Sequence, residues 1–257
     1  MEMGEMDLHY NDIELISPQA SAYLANNRRY KVKALRLKKY RQVDPFAMAF
    51  NKELYRWEYV VQRLLAKLVT EVETRILRYS ENHKGHQYRE IDFITQSDAN
   101  TLTFCELKLK TQFKHHLNCK ASGWRQLNKS IAVAGQKYQH LKGLSICVDM
   151  AAVYGLESDA GIQDYCPYQE ITDYLLASST FEQRPMIWVN SLDIARWAIH
   201  YQLLTQSDVD RMKQAYQEYH NPFLVLDGHV SKVGNSSAFQ LLTQLKNEHM
   251  TNLSLQI

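Results

Sequence analysis

Asp92, Glu106 and Lys108 are the residues of this chain whose types and spacing could do chemistry together. They lie in Tyr88–Lys110, where two runs of alternating apolar and polar residues, Tyr88–Thr95 and Leu102–Lys110, flank the turn-forming segment Gln96-Ser-Asp-Ala-Asn-Thr101. That pattern predicts a β-hairpin. With the loop centred on Ala99, residues whose numbers sum to 198 face each other, so Asp92 is expected opposite Glu106 and Glu90 opposite Lys108. Side chains alternate with period two, which places all four on one face. Like charges held side by side raise one another's pKa unless something compensates them. A divalent cation between Asp92 and Glu106 would do so, since Mg²⁺ takes one or two carboxylates plus waters and a phosphate. The alternative is a solvated hairpin face in which Glu90 and Lys108 form an ordinary cross-strand pair.

Positioning such a patch takes elements before and after it. Asp44-Pro45 marks a helix start, and Phe46 to about Val69 has helical spacing, with Leu54, Val61, Leu65 and Leu68 as an apolar stripe. Glu58 falls on that stripe, either as a carboxylate directed at chemistry or as a helix-edge glutamate paired with Arg56 or Arg63. Residues 72–80 read as a strand or as more of the helix, and Asn82–His86 as a turn. Beyond the hairpin, Ser122 can cap a helix whose apolar positions are Trp124, Leu127, Ile131, Ala134, Tyr138 and Leu141. Arg125, Gln126 and Lys129 crowd its first turns, where free backbone amides also attract anions. Leu144–Asp149 reads as a buried strand.

Asp92, thirteen intervening residues, then Glu106-Leu107-Lys108 after an apolar run resembles the motif of the PD-(D/E)xK nuclease superfamily, with Ile91 where the formal proline stands. The resemblance implies an α/β restriction-endonuclease-like fold with an α-βββ-α-β core, here over about 45–149. It implies a metal-dependent endo- or exonuclease hydrolysing phosphodiester bonds, with DNA favoured over RNA as substrate. Asp92 and Glu106 would hold Mg²⁺ or Mn²⁺, joined by Glu58, with Glu53 behind it, and by a backbone carbonyl near Leu107. Lys108 would orient the attacking water or stabilise the transition state, Glu90 would stand beside it, and Gln126 matches a helix position near the site. The alternative on the same fold is a nucleic-acid-binding protein or complex subunit without chemistry.

The charge distribution suits a polyanionic partner. Residues 18–148 hold 24 Lys/Arg against 10 Asp/Glu, residues 149–257 hold 6 against 13, and residues 1–17 hold 5 acids and no base. Eight of the fourteen residues from Arg28 to Arg41 are basic. Arg28, Arg29, Lys31, Lys33, Arg36, Lys38 and Lys39 could track a phosphate backbone, or form a solvated face. Ser17-Pro18 reads as the start of a short helix before them. The acidic opening to Ile16 has no strong periodicity and is expected to be partly disordered or to dock on a partner.

Hydrophobic content of 45% and charged content of 23% suit a globular chain of 257 residues. Neither a leader peptide nor a membrane span is read, so a cytoplasmic location without membrane contact is expected. Cys105, Cys119, Cys147 and Cys166 lie too far apart for paired zinc ligands and read as buried thiols, and His115, His116 and Cys119 make at most a partial metal site. The expected organisation is an acidic N-terminus and basic arm over 1–44, the core over 45–150, and a mostly helical extension over 151–257 packing on it. In that extension Met186–Asn190 reads as a strand, Leu192–Leu204 and Asp208–Tyr219 as helices, Phe223–His229 as a strand and turn, and Ser237–Lys246 as a last helix. Its acidity favours packing or protein partners over a DNA-reading helix-turn-helix.

Overall fold

Residues 9–38, 45–81, 85–97, 100–110, 123–156, 164–177 and 186–220 are described by the computed structural model, with backbone alone for 30–38 and 45. The strands are β1 (Tyr10–Ile16), β2 (Ile76–Glu81), β3 (Gln87–Glu90), β4 (Phe93–Gln96), β5 (Thr101–Lys110), β6 (His140–Asp149) and β7 (Met186–Asn190). The helices are α1 (Ser21–Lys38), α2 (Pro45–Leu68), α3 (Trp124–Ala134), α4 (Ala151–Tyr154), α5 (Ile171–Leu176), α6 (Ser191–His200) and α7 (Gln206–His220). The protein is mixed α/β, with an antiparallel sheet β1-β2-β3 and a mixed sheet β4-β5-β6-β7.

The predicted register of the hairpin holds over the four pairs Phe93–Cys105, Ile94–Phe104, Thr95–Thr103 and Gln96–Leu102. Its first strand, expected to run unbroken from Tyr88, is instead split. At Ile91-Asp92 the chain crosses between sheets: the Ile91 amide donates to the Arg75 carbonyl, and β3 pairs with β2. Glu90 therefore faces Ile76, and the expected Glu90–Lys108 pairing does not form. Helix does not continue past Leu68, and the strand reading of 72–80 holds from Ile76.

The mixed sheet lies between two layers. On one side Cys105 and Leu107 pack with Leu144, Ile146 and Val148 against α2, α6 and α7. On the other, Phe104 and Ile94 pack with Trp124 and Leu127 of α3, and with Leu77 and Tyr79 of β2. Trp57, Val61, Leu64 and Leu65 of α2 have no exposed surface; burying a leucine or valine stabilises by about 1.5–3 kcal/mol. Leu54 and Leu68 are only partly buried, so the apolar face centres on Trp57 and Leu64, and Glu58 lies at its margin. Parallel strands need a crossover, and α3 supplies it between β5 and β6, whose ladder runs from Thr101–His140 to Lys110–Asp149. That ladder draws Leu141 into β6, so α3 ends at Ala134 and the strand begins earlier than Leu144.

Within the acidic opening, Tyr10–Ile16 pairs with β2. A bulge between Asn11 and Glu14, with Asp12 at φ 54°, leaves Tyr10 and Ile13 both buried although three residues apart. A bulge adds a residue to one strand and so breaks the period-two pattern. Helix α1 begins at Ser21 after a turn at Pro18-Gln19 and continues through the basic run to Lys38. Further along the chain β7 adds to β6 in parallel, and α6 and α7 pack on α2. Cys105 and Cys147 are buried free thiols and Cys166 is partly exposed. Lys39, His115, His116, Cys119, Ser122 and the elements expected at Phe223–His229 and Ser237–Lys246 lie outside the described residues.

Candidate metal and phosphodiester site

Continuing the β4–β5 register would set residue 91 opposite Leu107, but the backbone has already turned away. Asp92 takes over that amide: its Oδ2 accepts from the Leu107 N–H at 2.7 Å. The carboxylate is thereby fixed to the β5 residue between Glu106 and Lys108. Those two project on the α3 side of the sheet, where Lys108 Nζ lies 2.6 Å from Glu106 Oε1.

Glu106 is buried and Lys108 half-buried. Burial first, and then the Asp92 charge, push the Glu106 carboxyl up to about 7 despite the neighbouring ammonium. Burial likewise raises Asp92, against the Leu107 hydrogen bond and Lys108. Lys108 is raised: burial opposes its charge, but Glu106, Asp92 and Glu58 together favour it. Two desolvated carboxylates thus share one ammonium, a charge deficit that a bound cation would relieve.

Glu58 arrives from the opposite layer. Burial, then the Asp92 charge, raise its carboxyl, with Lys108, Glu90 and Arg75 also acting on it. Among the described residues, however, no group of three or more His, Cys, Asp or Glu side chains is arranged to hold an ion. Asp92 and Glu106 are the desolvated carboxylates whose charges act on each other beside Lys108, and Glu58 acts on Asp92 and Lys108 through its charge. Glu53 is elsewhere, 3.8 Å from Arg56, which also reaches Asp208 at 2.8 Å. The expected pairing of Glu58 with Arg56 or Arg63 gives way to this Glu53–Arg56–Asp208 group.

Three participants were not singled out in the sequence. Gly123, the residue before α3, sits at φ 76°, where a Cβ would overlap Cγ of Glu106 and come within 2.9 Å of Cε of Lys108. Only glycine accepts both that φ and that approach; a lone glycine ahead of a helix was the available signal. Arg75 donates through Nη1 to Gln62 Oε1 at 3.0 Å and to the Asp92 carbonyl at 3.2 Å, and its Nη2 lies 3.6 Å from Glu90. Arg89 ties β3 to α3 through Ser130 Oγ at 3.1 Å and the Gln126 carbonyl at 3.0 Å. Gln126 is engaged through its backbone, and its side chain is exposed, as are those of Arg125 and Lys129.

The basic arm meets this region at its root. Tyr23 of α1 donates to Glu90 Oε2 at 3.1 Å and lies against Tyr88 with ring centroids 5.9 Å apart. Arg28 and Arg29 are exposed on α1; Lys31, Lys33, Arg36 and Lys38 follow on the same helix.

No protein-family model matches the chain, nor does any curated protein or solved structure. Among the described residues no helix is long and apolar enough to cross a membrane.

Proposed function

We propose that this protein is a metal-dependent nuclease of the PD-(D/E)xK type, with a restriction-endonuclease-like core from α2 to β6 and DNA as its favoured substrate. The observation that carries the reading is the Asp92–Leu107 hydrogen bond, which holds one buried carboxylate against the strand segment bearing Glu106 and Lys108. The element order helix, strand, split strand, strand, helix, strand over these residues supports it.

The donor set fits Mg²⁺ or Mn²⁺: two oxygen ligands, poor in sulfur and nitrogen, leave the remaining positions to water and phosphate. Bound there, the ion would supply neutralisation of the scissile phosphate and a water of lowered pKa. Asp92 and Glu106 bind and orient. Lys108 is held protonated by the acids around it, so it donates rather than accepts, placing positive charge where the phosphoryl oxygens gain negative charge. Glu58 adds local negative charge, and the surplus of bases over residues 18–148 draws the polyanion in.

The test pairs cleavage with metal binding. Wild type should nick supercoiled plasmid only with Mg²⁺ or Mn²⁺. Lys108→Ala and Glu106→Gln should lose at least about 100-fold. Mn²⁺ at tenfold its Kd should stabilise wild type by about 1.4 kcal/mol in thermal unfolding and leave Glu106→Gln unmoved. Equal nicking by Lys108→Ala and wild type, each purified to homogeneity, would sink the assignment.

A further inference from the structure

The outward side of α2 carries a row of exposed side chains that the core does not use. Lys52, Tyr55, Tyr59 and Arg63 recur every three or four residues and so stand in line along the helix. Tyr55 is 74% exposed and Tyr59 59%, although such rings favour interiors and interfaces. The two lie four residues apart, about 6 Å along the axis. Every exposed charged residue of α2 from Phe46 onward is basic, since Glu53 is buried and Glu58 half-buried.

The row leads toward the candidate site. Glu58, which interacts electrostatically with Asp92 and Lys108, borders it one residue before Tyr59. Tyr59, Gln62 and Arg63 also line an open cleft of about 380 Å³ whose further wall includes Arg75, the residue bonded to the Asp92 carbonyl. Two acids, Glu71 and Glu73, share that cleft, and Glu71 is engaged by Arg75 at 4.0 Å.

We infer that the α2 row is a stacking track for a single strand of nucleic acid, with bases laid on Tyr55 and Tyr59 and phosphates met by Lys52 and Arg63. Aromatic rings on a basic surface are what a single strand recognises, because every base offers a π-face and stacking tolerates any sequence. A duplex keeps its base faces covered and could use only the cations. The track rests on the nuclease reading only for its destination, the passage of a phosphodiester past Glu58 to Asp92 and Glu106.

Fluorescence anisotropy in EDTA separates the two ideas. Fluorescein-labelled oligo-dT, oligo-rU and a blunt DNA duplex would be titrated with the full chain and with its Tyr55→Ala/Tyr59→Ala variant. The track requires wild type to bind at least one of the single strands tenfold or more tighter than duplex, and the tighter of the two identifies the sugar. It requires the double alanine variant to lose tenfold or more on that strand with its unfolding temperature and duplex binding unchanged. Equal affinity for strand and duplex, or undiminished binding by the alanine variant, overturns it. Tyrosine-dependent strand binding without cleavage in Mg²⁺ would remove the nuclease reading and leave the track standing.

Discussion

The Leu107 amide donates to the carboxylate of Asp92, fifteen positions earlier in the chain, at 2.7 Å. Leu107 is buried, 2% exposed, so this N–H has no water to turn to if the acceptor is removed. The carboxylate therefore has two separable properties: an oxygen that completes the sheet, and a charge available to a cation.

Replacing Asp92 tests that separation. Asp92→Asn keeps an oxygen acceptor for Leu107 and should leave the unfolding temperature at or above that of wild type, because a charge disfavoured by burial, and repelling Glu106, is gone. Asp92→Ala strands the amide and should lose about 1–3 kcal/mol. Both should abolish metal-dependent nicking. Chemical denaturation alongside a plasmid assay checks it; equal stability of the two variants would show that the hydrogen bond contributes little.

Gly123→Ala should be far more harmful than an ordinary surface substitution. It places a side chain at φ 76° and drives a methyl into Glu106 and Lys108. A left-handed non-glycine residue costs about 1–3 kcal/mol, and the overlap displaces Glu106 and Lys108 at once. Reduced stability with cleavage lowered by at least tenfold is expected, whereas Gly85→Ala, which meets nothing within 4 Å, should be silent in both measurements.

How far the site could be read from the chain depended on whether local periodicity or a long-range bond was in charge. Alternation around Ala99 was enough to put Phe93 opposite Cys105, because four regular pairs set that register. It misplaced Glu90, since the crossing at Ile91 depends on a hydrogen bond to Arg75 sixteen residues earlier. Helical spacing located α2 but turned its face too far towards Leu54: Trp57 and Leu64 are buried by α6, α7 and the sheet, which no window within α2 contains. In β1 the bulge at Asp12 erased the alternation that would have announced a strand. Gly123 offered only a lone glycine ahead of a helix; its constraint comes from side chains on β5.

Asp208 should set an acid limit on stability. It accepts from the Thr205 amide and hydroxyl, both at 2.8 Å, and pairs with Arg56 and Arg211 at 2.8 and 2.9 Å. Burial pushes its carboxyl up, but the Thr205 bonds and Arg56 outweigh this and hold it at about 2. A depressed native pKa means that the unfolded chain binds the proton first, so this contribution is complete above about 4 and is lost as pH falls toward 2. Denaturant midpoints for wild type should drop across that window, and Asp208→Asn should start lower at pH 7 and show a shallower fall. Parallel curves would assign the acid transition to other carboxylates.

Arg75 braces the candidate site from three directions. One guanidinium spans α2 through Gln62, the sheet crossing through the Asp92 carbonyl, and Glu90, itself the anchor of Tyr23 on the basic helix. A planar fork can serve several acceptors together, whereas a lysine ammonium on a flexible stem cannot hold the same set. Arg75→Lys keeps the charge near Asp92 and Glu58 but releases the geometry. Stability within about 1 kcal/mol of wild type, with cleavage at saturating Mn²⁺ reduced about tenfold, is the outcome expected of a positioning residue. Should Arg75→Lys instead cleave at the wild-type rate while Arg75→Ala fails, charge alone would be what Asp92 requires, and the bridge to α2 would be merely structural.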